Sequence, residues 1–283
     1  MRFPGSNPGR GVLKIGDNAI MKNITITPTF LKRVFTDYPI EGQKDPHHEN
    51  NYTLCVTSDG EIFPHVAPLI ERCTAITQST GNETHFRLFI PFDAERNPTH
   101  PGIAYHNLGS KESVPTAKFR GITTEELHLP ILHLHTHPIP KDIPYPAFSY
   151  LPSYYKENGK GLGDLTEATE RYRQYGNGGG NFLDLFTNPE INIVVFEQSL
   201  FFYQLLTPHS QNLIHFLDNY GRYALDILDC LAQKERATQF PRLFAEKMEQ
   251  SGAFKAHHTT SSRLTEDLDT ICEKFSYEIK IEK

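Results

Sequence analysis

A chain of 283 residues that is 38% hydrophobic can bury one sizeable core together with an appendage. Its formal net charge of −6 argues against the basic face that a nucleic-acid footprint needs, and no run of about 18 apolar residues offers a membrane span. The four cysteines (Cys55, Cys73, Cys230 and Cys272) are scattered without a C-x-x-C pair. That pattern argues against a zinc ribbon or disulfide framework and suits a reducing, cytoplasmic compartment, with export as an effector left open.

Residues 2–11 read RFPGSNPGRG and lack the apolar region of a signal peptide. Gly5-Ser6-Asn7-Pro8 reads as a translation of GGT-TCG-AAT-CC, the T-loop sequence of most transfer-RNA genes. Residues 1–20 are therefore expected to be a non-native read-through, or else a disordered tail. In the first case Met21 is the native start and a mobile-element origin follows.

Met21–Thr27 reads as a short strand. Thr27 can cap a helix whose first turn holds Pro28, with Phe30, Leu31, Val34 and Phe35 on one face and Pro39 closing it. Tyr52–Val56 and Glu61–Val66 read as a hairpin around Ser58-Asp59-Gly60. Thr84–Pro91 reads as a strand with Phe86, Leu88 and Ile90 on one face, and residues 93–126 as a long loop with short elements. Leu129–His135 reads as a buried strand. Residues 139–163 are rich in Pro and Tyr without periodicity, which predicts a functional loop or insertion. Asp164–Arg173 looks helical, residues 177–181 (NGGGN) break the chain, and Ile191–Phe196 and Leu200–Leu205 form a strand pair. Ser210–Lys234 has an amphipathic pattern through Leu213, Phe216, Leu217, Tyr220, Ala224, Ile227 and Leu231. Phe240–Met248 and Leu264–Phe275 predict further helices before a charged tail. The order predicts an α+β domain over 21–207 and a helical C-terminal extension over 208–283.

His133, His135 and His137 lie two apart, so on a strand they share one face. Two imidazoles so spaced can reach one zinc ion, and Pro138 ends the strand ladder just beyond them. A catalytic zinc site wants three protein ligands and an open position. Asp164, entering a helix after Gly161-Leu162-Gly163, is the best downstream carboxylate. A Glu is then required as general base.

His135-Thr136-His137-Pro138 followed by Asp164-Leu165 resembles the JAMM (MPN+) zinc metalloprotease family, as a divergent prokaryotic-type member. The family pattern is a Glu, then H-x-H-P, then S-x-x-D. The resemblance covers residues 21–207 and implies a JAB/MPN-like mixed β-sheet flanked by helices. It implies Zn²⁺ held by His135, His137 and Asp164, and hydrolysis of a peptide or isopeptide bond. The implied partner is a protein or peptide-conjugate substrate, such as one bearing a ubiquitin-like modifier. The family Glu follows the first helix and opens a strand, which points to Glu49, with Glu61 and Glu41 as rivals. Gly161 stands where the family has its oxyanion-stabilising Ser; Ser149 and Ser153 are the possible substitutes. The gap from His137 to Asp164 is longer than usual, so the Tyr/Pro-rich segment is expected to be an insertion.

Other readings compete. A non-catalytic MPN-like binding scaffold would keep the fold without the metal. An amidohydrolase-type or cupin-like small-molecule enzyme would use H-x-H differently and needs further ligands that the sequence does not supply. His133 is expected to be a bystander, His47-His48 and His257-His258 to be solvated, and Asp164 to double as a helix cap. The aromatic cluster Tyr145, Phe148, Tyr150, Tyr154 and Tyr155 forms either a substrate lid or a packed loop.

Overall fold

The computed structural model describes residues 24–36, 66–92, 103–109, 127–139, 146–176, 190–207 and 210–279. Among them, six strands form one mixed sheet: β2 (Thr84–Phe92), β3 (Ile103–Leu108), β4 (Leu127–Thr136), β7 (Ile191–Phe196), β8 (Ser199–Leu205) and β9 (Phe254–Thr260). Their spatial order is β3-β2-β4-β7-β8-β9. Only β4 and β7 run parallel; every other neighbouring pair is antiparallel. The α+β reading therefore holds.

Helices cover both faces, so the central strands bury side chains on both sides, polar ones such as Asn192 and Gln204 included. Every residue of β7 and of β8 is buried. One face packs on α1 (Pro28–Thr36), α2 (Val66–Thr80) and α7 (Leu264–Phe275), burying Leu132, Leu134, Ile193, Val195 and Phe202. The other face packs on α3 (Asp164–Gly176), α4 (Gln211–Asp218), α5 (Tyr220–Asp229) and α6 (Arg236–Gln250), burying Val194, Phe201, Tyr203 and Leu205. No described helix is long and apolar enough to cross a membrane.

Local chemistry explains the helix starts. Thr27 Oγ1 accepts the N–H of Phe30 (3.1 Å) to cap α1, and Ser210 Oγ accepts that of Leu213 (3.1 Å) to cap α4.

Several expectations need correction. The C-terminal segment is not simply a helical extension: β9 forms an edge of the main sheet, and β10 (Tyr277–Ile279) pairs with β1 (Ile24–Ile26). Val66 opens a helix rather than ending a hairpin, and one of the short elements expected within 93–126 is β3, a strand of the main sheet. The insertion carries a 3₁₀ turn at Pro146–Tyr150 and a small hairpin of β5 (Tyr155–Glu157) and β6 (Lys160–Leu162). His257 and His258 sit half-buried on β9 rather than in a solvated segment. The Tyr52–Val56 strand, His47-His48 and residues 1–20 lie outside the described residues.

Candidate metal centre

The parallel pair β4–β7 sets the place. In such pairs ligands gather beyond the carboxyl ends of the strands. His135 is the penultimate residue of β4, and His137 N–H still donates to Val195 O (2.8 Å), extending the ladder one step. Alternation then divides the side chains. Thr136 turns into the buried layer beneath α2, while His135 and His137 turn to the opposite face.

Asp164 arrives from a distance in sequence. Residues 154–163 double back through the β5–β6 hairpin, so its two roots meet. Ser153 N–H donates to Asp164 Oδ2 (2.6 Å), Asp164 N–H to Ser153 Oγ (3.1 Å), and Leu165 N–H to Ser153 O (3.2 Å). Ser153 thereby satisfies two N–H groups at the start of α3, where Asp164 and Glu167 also suit the helix dipole. Gly163 permits this closure. Its φ is +95°, and a Cβ there would stand 2.7 Å from Ser153 Oγ.

Three ligand atoms converge. His135 Nε2 lies 3.1 Å from His137 Nε2 and 3.1 Å from Asp164 Oδ1, and His137 Nε2 lies 3.4 Å from Asp164 Oδ2. Tetrahedral zinc with ligands at about 2.0–2.1 Å sets ligand–ligand edges of about 3.3 Å. His137 Nδ1 donates to Ser149 O (2.9 Å), which leaves the Nε2 lone pair of the neutral ring facing the cluster. A lone pair, a second imidazole and a carboxylate aimed at one point fit a cation. Among the described residues, this is the group of His, Cys, Asp or Glu side chains that could hold a metal ion. His135 is almost fully buried (4% exposed), whereas His137 and Asp164 reach solvent (13% and 15%), so the centre opens on one side.

Electrostatics follow from the crowding. Burial pushes the Asp164 carboxyl up, but the two imidazoles beside it outweigh burial and hold it well below its usual range. Burial pushes His137 down, yet Asp164, with help from Glu83 and the Ser149 carbonyl, raises it overall.

Glu83 was missed by the sequence reading. It precedes β2, whose register pairs His85 with His135. Continuing that register two residues further brings Glu83 opposite His137. The half-buried Glu83 carboxyl is raised first by burial, and the charges that act on it are His137, His135, Asp164 and Glu167. Glu49, Glu61 and Glu41 lie outside the described residues. The signal that could have found Glu83 was the stretch Gly81-Asn82-Glu83-Thr84-His85: a turn, then a carboxylate opening an alternating strand.

The other expected residues have definite surroundings. His133 is buried in a row of rings, 4.5 Å from His85 and 5.5 Å from His135 between centroids. At Gly161 a Cβ would approach Tyr154 and Thr166 to 3.0 Å, so the Ser of the family pattern has little room there. Phe148 packs on Phe240, Tyr150 on Phe196 and Tyr154 on Tyr220, which makes that part of the aromatic cluster packing rather than a lid. Tyr155 is largely exposed, and Tyr145 lies outside the described residues.

Comparison of the chain with models of protein families, with characterised proteins and with solved structures gives no match. What the centre does is therefore argued from its own chemistry.

Proposed function

We propose that this chain is a zinc-dependent hydrolase of peptide or isopeptide bonds, of the JAMM type, with His135, His137 and Asp164 as ligands and Glu83 as general base. The observation that carries the reading is the convergence of two imidazole nitrogens and a carboxylate, with a second, half-buried carboxylate among the charges that act on them. A bound zinc ion supplies Lewis acidity, which polarises a carbonyl and makes water a stronger acid.

The remaining work falls to the chain. In this reading Glu83 accepts a proton from attacking water and returns it to the leaving amine, a task that its raised basicity favours. Ser153 takes the part of the Ser absent at position 161. Its oxygen accepts from Asp164 N–H, which leaves its own proton to meet negative charge developing on the substrate carbonyl oxygen. The β5–β6 hairpin is inserted between this Ser and the ligand Asp without separating them. The substrate proposed is a protein or peptide conjugate, including one carrying a ubiquitin-like modifier, because an open-sided centre admits an extended chain.

Metal analysis and cleavage assays on peptide and lysine-isopeptide substrates test the reading. Purified protein is expected to carry one zinc, lost in His137→Ala. Glu83→Gln is expected to keep the zinc and lose cleavage by about 10²–10⁴-fold. Full activity in Glu83→Gln with loss in Glu49→Gln would return the base to Glu49. Zinc without cleavage of any such substrate favours a small-molecule amide, and a metal-free protein favours the binding scaffold.

A further inference from the structure

Directly behind the metal centre, three threonines from three elements meet in a buried group: Thr77 on α2, Thr84 on β2 and Thr136 on β4. Thr136 Oγ1 contacts Thr77 Oγ1, lies 2.9 Å from Thr84 Oγ1, and accepts the Thr84 backbone N–H at 2.8 Å. Thr84 Oγ1 in turn reaches Cys73 O of α2 at 3.1 Å. The hydroxyl protons can run in one direction: Thr77 donates to Thr136, Thr136 to Thr84, and Thr84 to the Cys73 carbonyl. In that arrangement Thr136 Oγ1 uses both lone pairs and its proton, and every donor has an acceptor.

The position of the group matters more than its strength. Thr136 is the residue between the ligands His135 and His137, and Thr84 is the residue after Glu83. Strand alternation sends the threonines to the helix side and the imidazoles to the metal side. A shift of either threonine backbone therefore moves a ligand or the carboxylate beside it. Ladder hydrogen bonds alone fix register, but they do not tie the two strand ends to α2.

We infer that the Thr77–Thr84–Thr136 hydroxyl group is a positioning device that holds both histidine ligands, and the strand end bearing Glu83, in metal-binding geometry against α2. The inference rests on the zinc reading above. It assigns a metal-affinity role to side chains that touch neither metal nor substrate.

The test is titration of metal-free protein with zinc, and with cobalt followed by its visible d–d bands. Thr136→Val keeps shape but removes the hydroxyl, leaving the Thr84 N–H without its acceptor and the Thr77 hydroxyl with Thr84 Oγ1 (3.1 Å) alone in the group. It is expected to weaken zinc binding by about 10–100-fold, the usual cost of losing an outer-shell partner, and to shift or weaken the cobalt bands. Thr136→Ser restores the hydroxyl and is expected to bind close to wild type. Should Thr136→Val fail to fold, Thr77→Val on α2 serves instead, with an expected loss of about tenfold and rescue by Thr77→Ser. Folded Val variants with wild-type zinc affinity and cobalt bands, altered only in thermal midpoint, would mean an ordinary packing role and overturn the inference. A wild-type protein that binds no zinc overturns the reading beneath it, a result distinct from zinc-binding variants that ignore the substitution.

Discussion

At the residue scale, a metal ion at the centre would compete with protons for the same atoms. His137 is raised above its ordinary 6.5, so its contribution to metal-free stability is complete below that value and is lost as pH rises through the folded value. Asp164 is lowered well below 3.8, so its contribution is present above that value and is lost as pH falls through its own folded value. The metal-free protein thus gains most from the pair in the mildly acidic window between them. A zinc ion would need the neutral imidazole, so it would bind more weakly in that window than at higher pH. From about pH 5.5 to about pH 8, zinc affinity is expected to tighten by up to about tenfold per unit while the pair's contribution to metal-free stability declines. Competition titrations and thermal melts of chelator-treated protein measure the two trends. Affinity that stays flat across the range would mean that His137 carries no proton to displace. The cluster of His135, His137 and Asp164 was legible because H-x-H-P and D-L are local strings. Glu83 was not, because its identity depends on which helix precedes it. The stretch 66–80 mixes Thr and Ile along its length without a sharp polar face, so its periodicity does not mark α2, and the pattern of a helix followed by a carboxylate points to the segment after α1 instead.

At the element scale, β9 shows how an edge strand is closed without a further strand. Ala256 N–H donates to Glu249 Oε1 (3.3 Å), and Lys274 Nζ donates to Ala256 O (3.0 Å). The two side chains also pair with each other (2.9 Å). They come from α6 and α7, one helix on each face, and together occupy outward backbone groups that could otherwise template a second chain. The double variant Glu249→Ala/Lys274→Ala is expected to associate through this edge. Light scattering at rising protein concentration reads it as growth in mass, and a monomer-to-monomer comparison with wild type would show the edge protected by other means. Periodicity revealed strong amphipathic helices such as α7, whose bounds match the sequence reading residue for residue. It could not reveal β9, because the alternation of FKAHHTT lasts only from Phe254 to His257 before the second His breaks it. Its strand state comes from pairing with β8, a tertiary cause.

At the scale of the whole molecule, residues 210–279 complete the fold begun by residues 24–207. Leu268, Ile271 and Phe275 of α7 are buried with Leu31, Val34 and Phe35 of α1 in one core. Phe240, Phe244 and Met248 of α6 fill the other core against β8. Full burial of side chains of this kind contributes about 1.5–3 kcal/mol each, so losing six of them forfeits an amount comparable to the entire net stability of a domain, about 5–15 kcal/mol. Removal of β9 would also strip β8 of its outer partner and expose a long apolar edge. The candidate metal centre shares this dependence, because Tyr220 of α5 donates to Pro152 O (2.7 Å) beside Ser153 and packs on Tyr154 at the root of the hairpin. A chain ending at Thr207 is therefore expected to be insoluble or to lack near-ultraviolet dichroism, and to bind zinc at least tenfold more weakly if recovered, on the order of an outer-shell loss. The full chain, which has no Trp, is expected to unfold in one transition by tyrosine fluorescence and by far-ultraviolet dichroism alike. Were residues 21–207 to fold alone and hold zinc as tightly as the full chain, the C-terminal segment would be an appended module after all, and the two cores would have to be independently stable.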